Sequence, residues 1–511
     1  MEPHTEAATE GTKKWAKVID HTRCIGCHAC STACKSENLV PLSVNRTYVK
    51  YVDVGTFPHA RRSFQVTRCN QCDDPPCAAA CPTGAMYQRR DGIVDFDKSI
   101  CIGCKACIAA CPYDAIFINP EDHSAEKCNF CAHRIDVGLE PACVVVCPTE
   151  AIFVGDLLDP DSRVAKTVGR EAVTVRRPEK DTRPKLFYQG AHQATLDPIA
   201  ARRPEGKLFL WSEQGENANQ VTSGCPDGYN NAASALLAYD VPHRAPWDWR
   251  VSLYTWTKGI ASGAYLVAAL LFLFGLVPVG SPLWLWGAPI LGGAFLAATG
   301  AILIWDLEHP ERFYMIFTRA RWQSWLVRGA FVIAGYSVVL GVHFMASLGG
   351  THGIQSALTL AGIPLALMTA IYTAYLFAQS KARDLWQNPL LPLQFAVHAL
   401  LAGAATLLPL ALAWEPAAVR SLEWIVGASS ALHLLLIWGE STLAHVTAHA
   451  RLAAWEMTHG AYRKYFWGSV VLTSLGVFAP QLGLFPALAA LIGLLAYEHA
   501  HVQAAQVVPL A

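Results

Sequence analysis

Cys24-Ile-Gly-Cys27-His-Ala-Cys30-Ser-Thr-Ala-Cys34 is the stretch on which every other reading of this chain depends. Its C-x2-C-x2-C-x3-C spacing returns at Cys101-Ile-Gly-Cys104-Lys-Ala-Cys107-Ile-Ala-Ala-Cys111-Pro112. Two looser versions complete the set: Cys69-x2-Cys72-x4-Cys77-x3-Cys81-Pro82 and Cys128-x2-Cys131-x11-Cys143-x3-Cys147-Pro148. Of the chain's 17 cysteines, only Cys225 falls outside these four groups.

Three closely spaced thiolates wrap one iron-sulfur cube, while the fourth, thrown clear by the x3 step and its proline, ligates the cube of a partner motif. Four motifs therefore predict four [4Fe-4S] clusters built as two cross-ligated pairs. Zinc would need only four thiolates at two-plus-two spacing. A disulfide framework would be out of place in a long chain without a secretory signal. No cluster position is replaced by Trp, His or Asp, so nothing marks a three-iron or Rieske-type centre.

At 511 residues and 53% hydrophobic content, the chain is too long for one core and too apolar to be wholly soluble. A formal net charge of zero gives no basis for a nucleic-acid partner. Met1 to Trp15 is polar, with neither an apolar h-region nor a twin-arginine pair, so the cluster domain is expected to stay in the cytoplasm. Within that domain, residues 1–165, Tyr87-Gln-Arg-Arg-Asp91-Gly92-Ile-Val-Asp95 reads as a hairpin turning on Asp-Gly. Thr83-Gly-Ala, Tyr113-Asp-Ala and Thr149-Glu-Ala read as brief turns after each Cys-Pro. Residues 166–245 alternate basic residues with prolines and show no sustained period, which predicts a partly ordered connector. Cys225, in this connector, reads as an idle thiol.

Residues 246–511 are expected to lie in lipid. Apolar runs long enough to cross roughly 30 Å of hydrocarbon occupy 251–278, 284–304, 329–348, 355–378, 390–413, 421–440, 465–480 and 484–503, giving eight helices. On the side shared with the cluster domain sit Arg244, Arg250, Arg312, Arg319, Arg321, Arg328, Lys381, Arg383, Arg451, Arg463 and Lys464; the other side has Arg420. That positive-inside bias places the cluster domain on the cytoplasmic side of a multi-pass protein of the inner, cytoplasmic membrane.

The four-cluster pattern, with Cys128-Asn-Phe-Cys131-Ala-His-Arg and Gly138-Leu-Glu-Pro-Ala-Cys143, resembles the iron-sulfur subunit of the dimethyl sulfoxide and polysulfide reductase superfamily. The resemblance implies that motif one shares clusters with motif four, and two with three. The sets would be Cys24, Cys27, Cys30 with Cys147; Cys128, Cys131, Cys143 with Cys34; Cys69, Cys72, Cys77 with Cys111; and Cys101, Cys104, Cys107 with Cys81. Beyond residue 250, Asp306-Leu-Glu-His309-Pro310-Glu-Arg312-Phe, Ser324-Trp-Leu-Val-Arg328-Gly329, Tyr372-Thr-Ala-Tyr and Trp386-Gln-Asn-Pro389-Leu-Leu-Pro392 resemble the NrfD-type quinone-reacting anchor. Together they imply an α+β ferredoxin-like tandem iron-sulfur domain fused to an all-α polytopic membrane bundle.

Ionisable groups inside lipid are expensive and mark function. Counted from the cytoplasmic helix ends, Lys258, Tyr336, Tyr372, His398 and His433 share a depth of roughly 10 Å at 1.5 Å per residue. Such a layer suits a quinone headgroup, which needs hydrogen-bond donors and a relay for two protons. Asp306, His309 and Arg328 fall just outside it, at the cytoplasmic mouth. The bland readings are interfacial tyrosines, a snorkelling lysine and structural ion pairs. His398 and His433 also suit a b-type haem, although the resembled family carries none.

The resemblance implies a wire of anaerobic respiration, non-catalytic towards the terminal substrate but quinone-reactive, passing electrons between a separate molybdopterin-containing catalytic subunit and the quinone pool, menaquinone or ubiquinone, in the lipid bilayer. The alternatives are the same wire serving a hydrogenase or a multihaem cytochrome, or an iron-sulfur protein on a passive anchor.

Overall fold

The computed structural model describes residues 13–201 and 235–511. Cys225 and Arg202-Arg-Pro-Glu-Gly206 lie outside the described residues. The chain divides into two compact units, Met1–Arg244 with Ser380–Ala382 and Pro509–Ala511, and Ala245–Gln379 with Arg383–Val508.

The first unit is stitched from short strands: β1 (Trp15–Asp20), β2 (Thr47–Val54), β3 (Arg61–Arg68), β4 (Met86–Gln88), β5 (Val94–Phe96), β6 (Ile116–Ile118), β7 (Ala125–Lys127), β8 (Ile152–Asp156), β9 (Val173–Thr174), β10 (Leu186–Gln189) and β11 (Leu236–Tyr239). β4 and β5 form the expected hairpin, with Gly92 in the left-handed region at φ 78°. β6 and β7 form a second hairpin of the same size. A longer hairpin, β2–β3, runs in unbroken antiparallel register from Thr47 opposite Arg68 to Val54 opposite Arg61, and β11 adds to its edge.

A four-stranded sheet in the order β8-β1-β10-β9 backs the cysteine loops. Ala16, Val18 and Ile19 of its inner strand are fully buried, as the strand's position between two neighbours requires. Residues 166–245 are therefore more than a connector: Leu186-Phe-Tyr-Gln189 lies parallel to β1, with Val18 opposite Phe187 and Ile19 opposite Tyr188. Four residues between arginines and prolines carry too little alternation to stand out in the sequence.

His243 fastens the end of this unit. Its Nδ1 meets the Asp114 carboxylate, and its Nε2 lies 3.2 Å from Asp240. Burial alone would lower the imidazole's pKa, but the two carboxylates outweigh it and hold the ring protonated up to about 9.

The second unit is helical: α1 (Trp249–Leu273), α2 (Leu283–Trp305), α3 (Trp325–Leu348), α4 (Gly353–Gln379), α5 (Leu391–Trp414), α6 (Pro416–Thr442), α7 (Ala448–Thr458), α8 (Arg463–Gly476), α9 (Ala479–Leu482) and α10 (Leu484–Ala504). Among the described residues, seven helices, α1 to α6 and α10, are long and apolar enough to cross a membrane. The eighth expected span, 465–480, is broken instead. Helix α8 stops at Gly476, and Pro480, which has no N–H to give and fits only a first turn, starts the separate short α9. The broken segment packs along α10.

Helices α1, α5 and α10 are the most enclosed, and α1 and α5 touch backbone to backbone. A Cβ at Gly263 would overlap the Ala399 carbonyl, and one at Gly403 would overlap the backbone of Gly263. Lipid gives no hydrophobic drive for helices to associate, so small residues that admit close van der Waals contact decide which ones pair.

Two outcomes test this architecture. The His243 contribution is fully present below the unfolded imidazole value, near 6.5, and is lost as pH rises through about 9. Thermal scans should show the Tm gap between wild type and His243→Gln shrinking over that window; a gap constant with pH would contradict the charged Asp-His-Asp arrangement. Gly403→Leu should destabilise the purified protein by about 1–3 kcal/mol or more, whereas Gly293→Ala, where a Cβ meets open space, should leave its thermal midpoint in place.

Candidate functional site

The sixteen described cysteines are free of disulfides, and their thiols collect in fours. Cys24, Cys27, Cys30 and Cys147 line one cavity of about 320 Å³, together with Gly26 and Pro148. Cys34, Cys128, Cys131 and Cys143 line a second, of about 260 Å³. Cys69 and Cys111 are the charge neighbours of Cys72 and of Cys77. The strongest charge neighbours of Cys107 are Cys104, Cys101 and Cys81, with Cys77 of the adjacent set behind them. Among the described residues no three His, Cys, Asp or Glu side chains converge closely enough to hold one metal ion.

One backbone device recurs in all four. The residue just before the second cysteine is left-handed: Gly26 at φ 69°, Gln71 at 49°, Gly103 at 67° and Phe130 at 64°. The reversal lets two thiols separated by two residues face the same centre. Gln71 and Phe130 adopt it at a cost of roughly 1–2 kcal/mol, offset in part by new contacts. The Gln71 side chain binds the Cys128 carbonyl and the Val94 amide, and the Phe130 ring is buried under Lys17.

The segments after the Cys-Pro pairs turn their amides back on sulfur. Met86 N–H donates to Cys81 Sγ at 3.4 Å and Ala151 N–H to Cys147 Sγ at 3.2 Å, while Ala125 N–H donates to Cys101 Sγ at 3.4 Å. Burial pushes the thiols of Cys34, Cys72 and Cys111 up to about 12. Iron must displace those protons, so loading the sites releases acid. Cys143 differs: burial would raise it as well, but Lys17 and Arg68 outweigh that and bring it down to about 7.

In the helical unit, five helices bring polar side chains together. Lys258 on α1 donates to the Ala370 carbonyl at 2.9 Å and to Thr373 Oγ1 at 2.5 Å on α4, and lies over the rings of Tyr372 and Phe395. His398 on α5 links Glu498 on α10, 3.1 Å from Nδ1, to His433 on α6, whose Nδ1 is 3.1 Å from Nε2. Thr255 Oγ1 donates to the other Glu498 oxygen at 2.7 Å. With Glu498 as acceptor, His398 carries its proton on Nδ1 and accepts from His433. His433 Nε2 is then left buried and unpartnered among the described residues. Beside this relay Tyr497 donates to Glu440 at 2.6 Å and accepts from Gln394.

Lys258, Tyr372, His398 and His433 are thus brought together, and Tyr336 is not: its hydroxyl donates to the Ala261 carbonyl and its ring packs against Tyr265. The three residues expected at the mouth are engaged locally. Asp306 lies 3.3 Å from Arg250, His309 meets Glu311 at 3.0 Å, and Arg328 donates to the Trp322 carbonyl and stacks on Trp325. The residue that sequence reading missed is Glu498. Its signal was present in Tyr497-Glu-His-Ala-His501, an acid and two imidazoles in an apolar helix, about as far from its helix end as the other members are from theirs.

Comparison with known proteins agrees with this division. Residues 61–157 match the 4Fe-4S dicluster domain family, and residues 240–492 match the polysulphide reductase NrfD family. A tetrathionate reductase subunit from Salmonella typhimurium is 42% identical over 221 residues, covering 41% of this chain and 86% of that protein. A polysulfide reductase polypeptide from Wolinella succinogenes is 43% identical over 178 residues, covering 34% and 93%. The thiosulfate reductase electron transfer subunit PhsB of Salmonella typhi is 44% identical over 165 residues, covering 32% and 85%. The protein belongs to the family of the iron-sulfur electron-transfer subunits of such reductases, and it continues in the same polypeptide into an NrfD-type membrane domain.

Proposed function

We propose that this protein is the electron-transfer and membrane subunit of a respiratory oxidoreductase complex. It passes electrons between a separate molybdopterin-containing catalytic subunit and the quinone pool, menaquinone or ubiquinone. The observation that carries the reading is the presence in one polypeptide of four thiol quartets and a membrane-type bundle with a buried acid-base set. Relatives named as reductase subunits support the catalytic partner, and the positive-inside bias supports an inner membrane location with the cysteine-bearing unit in the cytoplasm.

When bound, four [4Fe-4S] clusters supply one-electron steps at negligible structural change. The sixteen cysteines from Cys24 to Cys147 are their ligands, in the four sets above. The helical unit handles the proton side. Converting a quinol to a quinone releases two electrons and two protons, and the reverse consumes them. Lys258 offers an ammonium donor to a quinone oxygen. Glu498, His398 and His433 form a hydrogen-bonded acceptor relay along which a proton can move without opening the bundle to water.

Affinity purification of the full-length protein should bring down a large molybdenum-containing subunit. In such preparations Lys258→Met and Glu498→Gln should slow quinol-linked reduction of the clusters by about a hundredfold or more while leaving reduction by a soluble dye unchanged. Quinol-linked rates at the wild-type level in both variants would leave the helical unit a passive anchor.

Cross-ligation makes a sharper forecast. Cys147→Ser should remove or convert the EPR signal of the centre held by Cys24, Cys27 and Cys30. Loss confined to a centre assigned to Cys128, Cys131 and Cys143 would contradict the pairing.

A further inference from the structure

Two buried cations converge on one thiol of one quartet. Arg68, at the end of β3 and 1% exposed, donates from Nη1 to Cys143 Sγ at 3.0 Å. Lys17, on β1 and 2% exposed, reaches the same sulfur with Nζ at 3.7 Å. Both line the cavity shared by Cys34, Cys128, Cys131 and Cys143. A third donor lies on the same wall: Asn38 Nδ2 is 3.7 Å from the sulfurs of both Cys34 and Cys131, and its carbonyl is held at 2.8 Å by Arg46.

The arginine also has hydrogen-bonding capacity in reserve. Its Nε and Nη2 are buried and have no partner among the described residues. A guanidinium carries five N–H bonds and no acceptor, so donors left over inside a cavity that a cluster would fill point toward the cluster's own sulfides. Arg68 is in addition a charge neighbour of Cys30, a member of the adjacent quartet. The cation therefore stands between the two centres of one cross-ligated pair and bonds to only one of them. At the other quartets the sulfur donors are backbone amides with the hydroxyls of Thr83 and Thr149 nearby, and the buried Lys127, a charge neighbour of Cys69 and Cys77, spends its donors on the Val94 and Cys128 carbonyls.

Reducing a [4Fe-4S] cluster adds one electron and so one negative charge to a site already surrounded by thiolates. Fixed positive charge and hydrogen bonds to sulfur stabilise that added charge, and solvent exclusion strengthens both. We propose that Arg68, supported by Lys17, raises the one-electron potential of the centre held by Cys34, Cys128, Cys131 and Cys143, so that within its pair the electron rests there. The electron comes from the neighbouring reduced centre, which is oxidised by one unit as this one is reduced; no proton is required, because the cations supply the balancing charge. The inference rests on the reading of the quartets as four iron-sulfur centres. In it Arg68 and Lys17 are tuning residues that touch the cluster environment and perform no chemistry.

The test is an EPR-monitored redox titration of the full-length, cluster-loaded protein. In Arg68→Gln, the reduction equilibrium of one centre should shift at least tenfold against the reduced form, 59 mV for each tenfold in a one-electron couple. The centres of Cys69, Cys72, Cys77, Cys111 and of Cys81, Cys101, Cys104, Cys107 should keep their midpoints. Arg68→Lys, which preserves the charge, should recover most of the shift. The proposal is overturned if Arg68→Gln carries full iron and all midpoints match wild type, or if Arg68→Lys falls as far as Arg68→Gln, which is the signature of packing alone. Should Arg68→Gln fail to load iron, Lys17→Gln decides: a lowered midpoint of the same centre supports the proposal and an unchanged one overturns it. Wild-type protein with fewer than four reducible centres would defeat the four-centre reading itself, an outcome separable from any midpoint shift.

Discussion

The first unit depends on one local constraint: two thiols three positions apart in sequence must face one point. The α, β and extended conformations open to most residues do not achieve this, so the backbone reverses through the left-handed region immediately before the second cysteine of every motif. Everything nearby follows from that reversal. Amides turn toward sulfur, the third cysteine enters on a short helix, and the fourth is carried by the next turn into another motif's cavity. The hairpins between the motifs are short, three residues per strand in β4–β5 and β6–β7, and the buried clusters mix cysteines with Tyr113, Tyr188 and branched aliphatic side chains.

The helical unit answers a different constraint. Ionisable groups removed from water must satisfy one another, and they can do so only if their helices approach closely. Gly263 and Gly403 permit that approach between α1 and α5, the helices that carry Lys258 and His398. A side chain at either position would push the two helices apart, and distances near 3 Å between His398 and its partners on α6 and α10 leave little room to absorb it. The packing glycines are in this sense part of the polar relay, although neither takes part in any hydrogen bond of it.

The sequence made some of this legible and hid the rest for identifiable reasons. Cysteine spacing is rigid chemistry, and in the structure Cys24, Cys27, Cys30 and Cys147 line one cavity while Cys34, Cys128, Cys131 and Cys143 line another. The Asp91-Gly92 hairpin was readable because a positive φ at that glycine is a local requirement. Strand β10 was not, because four residues pairing with a partner some 170 positions away leave no periodic trace. A window of hydropathy is blind to the proline that divides α8 from α9. Depth counting found four members of the polar set but placed Tyr336 among them, since depth says nothing about which way a side chain faces around the helix. Arg68 and Lys17 sit in ordinary-looking strands, and only the three-dimensional convergence on Cys143 distinguishes them.

The quartets are also nested in sequence order. The two built from Cys69 to Cys111 lie wholly inside the interval spanned by the two that need Cys24 or Cys34 at one end and Cys143 or Cys147 at the other. A ribosome releases the polypeptide from its N-terminus, so the inner pair has all its ligands exposed while the outer pair still lacks half of its own. Synthesis thereby exposes the cysteines of the inner pair as complete sets before those of the outer pair. The thiols of Cys24 to Cys34 emerge first and wait longest for the cysteines that share their cavities.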